Sequence, residues 1–173
     1  MISRLAGNLA QHALTLLILA ALAGDPAGAA TVTATVAANN VKPLIVAKLT
    51  DLDLGTVTLA PGVWANATVT ITQAGVLSCA GPNLVCTGAT GAASYNVQGS
   101  KQQVVTISAP NVTLVNQSDS TKTLLLTVDA PSNLTLANSG FPGSDFSIGG
   151  SVTLSSQTAG GTYVGTFNVT VNY

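Results

Sequence analysis

Cys79 and Cys86 are the two cysteines of this chain, and the six residues between them, Ala80 to Val85, include the turn formers Gly81, Pro82 and Asn83. In an exported chain, thiols this close in sequence point to a local disulfide that pins a hairpin or loop. Zinc is the competing chemistry, and it lacks ligands. The chain has no Glu, and its one histidine is His12, so two thiols cannot complete a usual tetrahedral site. Asp51 and Asp53 are the closest carboxylates. At i and i+2 on a strand they share a face that either holds a cation or keeps a surface soluble, and the second reading is preferred because oxygen cages for Ca²⁺ take more ligands than this segment offers.

Beyond residue 29 the chain has no His, Glu or Arg, which excludes Ser-His-Asp and Cys-His constellations, paired-Glu glycoside hydrolysis and the common zinc sites. No local spacing marks a Ser-Lys dyad among the four lysines. Trp64, after Pro61-Gly62, reads as a core or rim residue in preference to a carbohydrate platform, since its large apolar area rewards burial. Sequons at Asn66, Asn111, Asn116, Asn133 and Asn168 follow from a Thr- and Asn-rich composition and carry little weight. The expectation is a non-enzymatic protein without a cofactor or metal.

The elements that position these residues begin after an export signal. Arg4 and a polar stretch precede an apolar run from Ala13 to Ala23, then Gly24-Asp25-Pro26 and the small residues Ala27-Gly28-Ala29. This is the grammar of a secretory signal peptide, and at about 11 residues the run is short of the roughly 20 that span a bilayer; an uncleaved N-terminal anchor is the alternative, since His12 and the single Arg make a weak n-region. The expected organisation is a signal over 1–29, an arm over 30–40 and one domain over 41–173. The domain and arm carry Lys42, Lys48, Lys101 and Lys122 against Asp51, Asp53, Asp119, Asp129 and Asp145, so 4 − 5 = −1. No basic stripe is available to hold nucleic acid.

Short alternating or apolar runs recur between turn signals: Thr31 to Val36, Leu44 to Val46, Leu52 to Leu59, Ala67 to Thr72, Ser94 to Val97, Gln103 to Ser108, Val112 to Val115, Thr123 to Val128, Asn133 to Leu136, Ser151 to Leu154 and Thr162 to Tyr173. Turn formers such as Asn39-Asn40, Pro110-Asn111, Pro142-Gly143, Gly149-Gly150 and Gly160-Gly161 separate them. Many short strands at this spacing predict an all-β sandwich or barrel. Two terminal segments alternate most cleanly. Phe167, Val169, Val171 and Tyr173 face one way on the last strand, which is expected to leave an uncovered edge; Val32, Ala34, Val36 and Ala38 face one way on the first, a spare strand for such an edge.

Pro43-Leu44-Ile45-Val46, then Asp51-Leu52-Asp53-Leu54-Gly55-Thr56-Val57, and the close from Gly160 to Tyr173 resemble a family of small secreted bacterial proteins, common in alphaproteobacteria, classed as a domain of unknown function. The same segments resemble, more distantly, chaperone-usher pilins, including the archaic spore-coat-U-like branch. There a Leu-Gly-x-Val-like step follows the first strand, as Leu54-Gly55-Thr56-Val57 does here, and a glycine stands fourteenth from the end, as Gly160 does (173 − 160 + 1 = 14). The pilin cysteine of the first strand is replaced near Val46, and the usually penultimate tyrosine is the last residue, Tyr173.

The resemblance implies an immunoglobulin-like β-sandwich, incomplete until a donor strand fills it. It further implies a structural subunit of a pilus or fimbria, whose partners are other copies of itself, a periplasmic chaperone and an outer-membrane usher. The chain would then pass through the periplasm to the cell surface without stable membrane insertion. Val32, Ala34, Val36 and Ala38 would be the donor face, and Phe167, Val169, Val171 and Tyr173 the acceptor edge. The alternative is a self-complete secreted module binding carbohydrate or a cell surface.

Export is expected to release a chain starting at Ala30, because Ala27 and Ala29 occupy the two positions that signal peptidase reads. Intact mass and N-terminal sequencing of the exported protein check this, and retention of residues 13–23 would contradict it.

Overall fold

β-Branched residues alternating between Gly, Pro and Asn turn formers set the local structure of residues 31–173, the part described by this computed structural model. The expected signal over 1–29, and Ala30 at the head of the arm, lie outside the described residues. Among the described residues there are strands and no helix. In chain order they are β1 (Ile45–Thr50), β2 (Thr56–Leu59), β3 (Ala67–Ile71), β4 (Leu77–Ala80), β5 (Leu84–Thr87), β6 (Ala93–Gln98) and β7 (Val104–Ser108). They continue as β8 (Val112–Asn116), β9 (Thr123–Asp129), β10 (Asn133–Thr135), β11 (Ser144–Leu154), β12 (Tyr163–Val164) and β13 (Thr170–Asn172).

The longest strand, β11, organises the rest. Its Ser144–Ile148 half pairs with β6, its Gly149–Val152 stretch with β9 and its Gly150–Leu154 end with β3, all antiparallel. The large sheet so formed runs β1-β6-β11-β9-β8-β12, with β3 and β4 branching from β11; a smaller sheet runs β10-β7-β13, and β2 pairs with β5. Phe146, Ile148, Gly150, Val152 and Leu154 form the buried face of β11.

A first cluster joins Ala93, Tyr95 and Val97 of β6 and Phe146 and Ile148 of β11 to Val105 and Ile107 of β7 and to Leu136. Since β6 and β11 belong to the large sheet and β7 to the smaller one, the two pack face to face as a β-sandwich. Tyr95 and Phe146 stack in this core with ring centroids 5.3 Å apart. A second cluster gathers Val69, Leu84, Leu126, Val152 and Leu154, with Val57 and Leu59 of β2 packed on it. Leu52, Val128 and Phe167 touch both clusters, so the apolar interior is continuous along the sandwich. Each fully buried Val, Leu, Ile or Phe side chain contributes about 1.5–3 kcal/mol.

Five segments depart from the pattern read in the sequence. The expected strand from Leu52 to Leu59 is one only over Thr56–Leu59, so Asp51 and Asp53 do not stand on a strand: Asp53 makes an isolated bridge to Gly91 and turns the chain through its bond to Gly55 N. Residues 31–36 form no strand; six residues of small and β-branched type have no strand-forming power without a ladder partner, and none is present among the described residues. Gly149-Gly150, expected as a turn, lies inside β11, where a Cβ on Gly149 would strike the Ile71 carbonyl and one on Gly150 would crowd the Leu126 side chain. The expected single strand from Thr162 to Tyr173 is two: β12 pairs with β8 of the large sheet, β13 with β7 of the smaller sheet, and Gly165–Val169 crosses between them. A Cβ on Gly165 would lie 2.8 Å from both Leu114 and Val112, which is why the crossing starts at a glycine. Finally, β4 and β5 were not expected; their four-residue runs are too short for alternation to register.

Cys79 of β4 and Cys86 of β5 form the disulfide anticipated from their spacing, seven positions apart. It fastens a strand of the large sheet to the β2–β5 pair. Replacing both cysteines by Ser is expected to lower stability by about 2.5 kcal/mol, the loop-closure entropy of so short a ring, and to leave the fold intact. Denaturant midpoints with far-UV circular dichroism check this; loss of the strand signal in native buffer would contradict it.

Candidate functional site: an open edge between β1 and β13

β1 is an end strand of the large sheet and β13 an end strand of the smaller one, so each has one hydrogen-bonded neighbour and one free side. Directly opposite residues of an antiparallel pair share a face. Val46 stands opposite Val97 and Lys48 opposite Tyr95, which places Val46 and Lys48 on the core side of β1. Yet every residue of β1 is exposed, Val46 at 41%, while its partner Val97 is fully buried. On β13, Val171 stands opposite buried Ile107. Val169 and Val171 pack on the first cluster from this side, as Leu44, just before β1, does too. The two free strand sides therefore border one partly covered stretch of core.

The sequence-predicted acceptor residues fall as follows. Phe167, Val169 and Val171 are half-buried, while Asn168, Thr170 and Asn172 between them are exposed. Phe167 bridges the two core clusters. Gly165–Val169 belongs to no ladder among the described residues, so the edge is paired only over Thr170–Asn172. Tyr173 is exposed along its ring, but its hydroxyl accepts from Ser100 N at 2.9 Å and donates to the Lys42 carbonyl at 2.6 Å. Lys42 N in turn donates to Ser100 Oγ at 2.7 Å. This clasp joins the chain entering β1 to the chain leaving β13 and closes one end of the opening. Gly99 permits it, because a Cβ there would collide with the Tyr173 hydroxyl, Leu136 and Leu44.

At the other end β1 breaks register between Lys48 and Thr50, a bulge around Leu49. Lys48 Nζ lies 2.6 Å from Asp51 Oδ1, and this bond holds the ammonium pKa above its ordinary value. Burial pushes the Tyr95 phenol up in turn. The sequence reading missed Lys48, Lys42 and Gly99. For Lys48 a signal existed: it is the one charge within the apolar run Leu44–Leu49, two positions after Val46.

The predicted donor residues Val32, Ala34, Val36 and Ala38 are exposed and in no strand, with Val32 at 91% and Val36 at 90%. The chain divides into two units after Asn39, and these residues belong to the first. Elsewhere, Asp53 Oδ1 accepts from Gly55 N at 2.8 Å and caps the turn that leads to β2, while Asp51 serves Lys48. No cluster of three metal-ligating side chains occurs among the described residues. Trp64 packs on the second cluster and donates from Nε1 to the Ala60 carbonyl at 2.9 Å. Asn116 is buried, with Oδ1 accepting from Ser118 N and Nδ2 donating to the Gly160 carbonyl, which leaves no room for a glycan. No helix among the described residues is long and apolar enough to cross a membrane.

The fold is an antiparallel, disulfide-linked β-sandwich in which the end strands β1 and β13 lie beside its first core cluster. The sequence model described as Domain of unknown function (DUF4402) matches residues 44–173, from the residue before β1 to the end of the clasp, and the chain belongs to that family. No curated protein and no solved structure matches the chain.

Tyr173→Phe removes the two clasp bonds made by the hydroxyl and is expected to cost about 1–3 kcal/mol, at about 0.5–1.5 kcal/mol per bond. Hydrogen exchange at the Ser100 amide is the local readout, and unchanged protection there would show that the clasp is not formed in solution.

Proposed function

We propose that this chain is a structural subunit of a bacterial surface filament of the pilus or fimbria type, built by donor-strand exchange between copies. The observation that carries the reading is the pair of free edges on β1 and β13 beside a partly covered core. A strand laid between them would satisfy backbone donors and acceptors on both sides. The arm of a second copy has the form such a strand needs. Val32, Ala34, Val36 and Ala38 lie on one face, all exposed, with Thr31, Thr33 and Thr35 on the other. Two newly buried Val side chains contribute about 1.5–3 kcal/mol each, and each ladder bond about 1 kcal/mol.

In this reading the sandwich is immunoglobulin-like and incomplete, as in the chaperone-usher pilins that the Leu54-Gly55-Thr56-Val57 step and the terminal strand resemble. A free apolar edge is a hazard in transit, so a periplasmic chaperone would cover it and an outer-membrane usher would exchange that cover for the arm. The subunit then acts at the cell surface, as structure and not as catalyst.

One observation favours a second reading. Val97, Val105 and Ile148 are fully enclosed without any contribution from an added strand, as in a self-complete secreted module that binds carbohydrate or a cell surface. Size-exclusion chromatography of the exported chain separates the two: a high-mass ladder belongs to the filament subunit and a single monomer peak to the module.

The arm's two faces make opposite demands. Val32→Asp or Val36→Asp would bury an unpaired carboxylate in the groove at a cost of several kcal/mol, while Thr33→Asp or Thr35→Asp would point the charge to solvent. The expected result in electron micrographs is loss of filaments in the first pair alone, with the chain still folded and able to accept a wild-type arm. Unfolding of the Val variants, in a wild type that stays monomeric, would assign the arm to its own domain and end the filament reading.

A further inference from the structure

An edge strand that is open to another copy's arm is open to other strands too, above all to the same edge of a second copy, which is always present at equal concentration. β1 is such an edge, with Ile45, Val46 and Leu49 all exposed. Two features of it stand out in a chain with 11 formally charged residues (5 + 6) among 173. Lys48 sits on the core side, opposite Tyr95, and the ladder breaks beside it at Leu49. Two β1 strands that pair antiparallel with their cores on one side must match residues of like face. Only two such registers engage most of the strand. One sets Lys48 opposite Lys48 of the second copy; the other sets Lys48 opposite Val46, which leaves the two lysines diagonal, about 7–8 Å apart. Both bring like charges together over an apolar surface, and the bulge bends the strand away from any longer match.

The arm meets no such obstacle. Residues 31–41 carry no charge, and Ala34 and Ala38 are the smallest side chains that keep an apolar face. A Lys48 stem can lie beside an alanine while its ammonium stays on Asp51 at the rim. We infer that Lys48 is a specificity determinant of the open edge, barring β1 of a second copy while leaving room for a charge-free strand of small residues. The permitted strand rests on the donor-strand reading above; the barred one does not.

The test uses the full exported chain in a Val36→Asp background, which removes arm insertion. Lys48→Val added to this background is expected to lower the concentration at which dimers appear in sedimentation velocity by up to about fivefold, the size of one relieved like-charge pair. Backbone amides of residues 45–50 should become protected from exchange at the same time. Lys48→Arg keeps the charge and should stay monomeric like the parent. A Lys48→Val chain that remains as monomeric as the parent overturns the inference, as does association that leaves the 45–50 amides unprotected, or an arginine variant that associates as the valine does. Failure of the donor-strand reading has a separate signature, seen without any change at Lys48: wild type stays monomeric, or its filaments persist in Val36→Asp alone.

Discussion

Backbone hydrogen bonding at the sheet edges is the constraint from which the rest of this structure follows. Each residue other than proline brings a donor and an acceptor that must be paired or wet. Inside the molecule β11 resolves this by having strands on both sides, changing partners from β6 to β9 and β3 along its length. At the periphery β1 and β13 leave one side each unresolved. Water satisfies those groups, but not the apolar faces beneath them, and this conflict between wet backbone and half-covered core is the physical basis of the donor-strand proposal.

The glycines of β11 and of the terminal crossing make that arrangement possible. At Gly149 the Ile71 carbonyl approaches closely enough to exclude any side chain, and the partner change occurs there. At Gly165 the chain leaves the large sheet and travels five residues to the smaller one, with Phe167 inserted between the two core clusters on the way. Without the switch, Tyr163 to Tyr173 would run as one strand in one layer, and Val169 and Val171 would not flank the core from the side of β7. The open edge is thus a consequence of where the last strand changes layers.

The all-β class, the sandwich and the disulfide were legible in the sequence because each depends on local evidence: alternation, turn formers, and two thiols seven positions apart. The half-buried face of Phe167, Val169 and Val171 was legible for the same reason. What escaped was tertiary. Gly149-Gly150 reads as a turn unless the neighbouring strand that needs their absent side chains is known. Thr31 to Val36 alternates as well as any strand, yet alternation states only which face would be buried, not that a partner exists. The role of Lys48 depends on its register with Tyr95, and that of Tyr173 on the return of the chain at Lys42 and Ser100.

Scarcity of charge ties these elements together. A surface that cannot rely on net charge to stay dispersed must place its few charges where association is most costly. Asp53 is spent on a turn and Asp51 on Lys48. Lys48 stands on β1, whose residues are all exposed, and the Tyr173 hydroxyl closes the opposite end of the same opening. The opening is bounded by a cation at one end and a hydrogen-bonded clasp at the other, and residues 31–38 of the arm carry only apolar and hydroxyl-bearing side chains. On the donor-strand proposal, such a site would select by shape and by the absence of charge, and residues 31–38 of the N-terminal segment have both qualities.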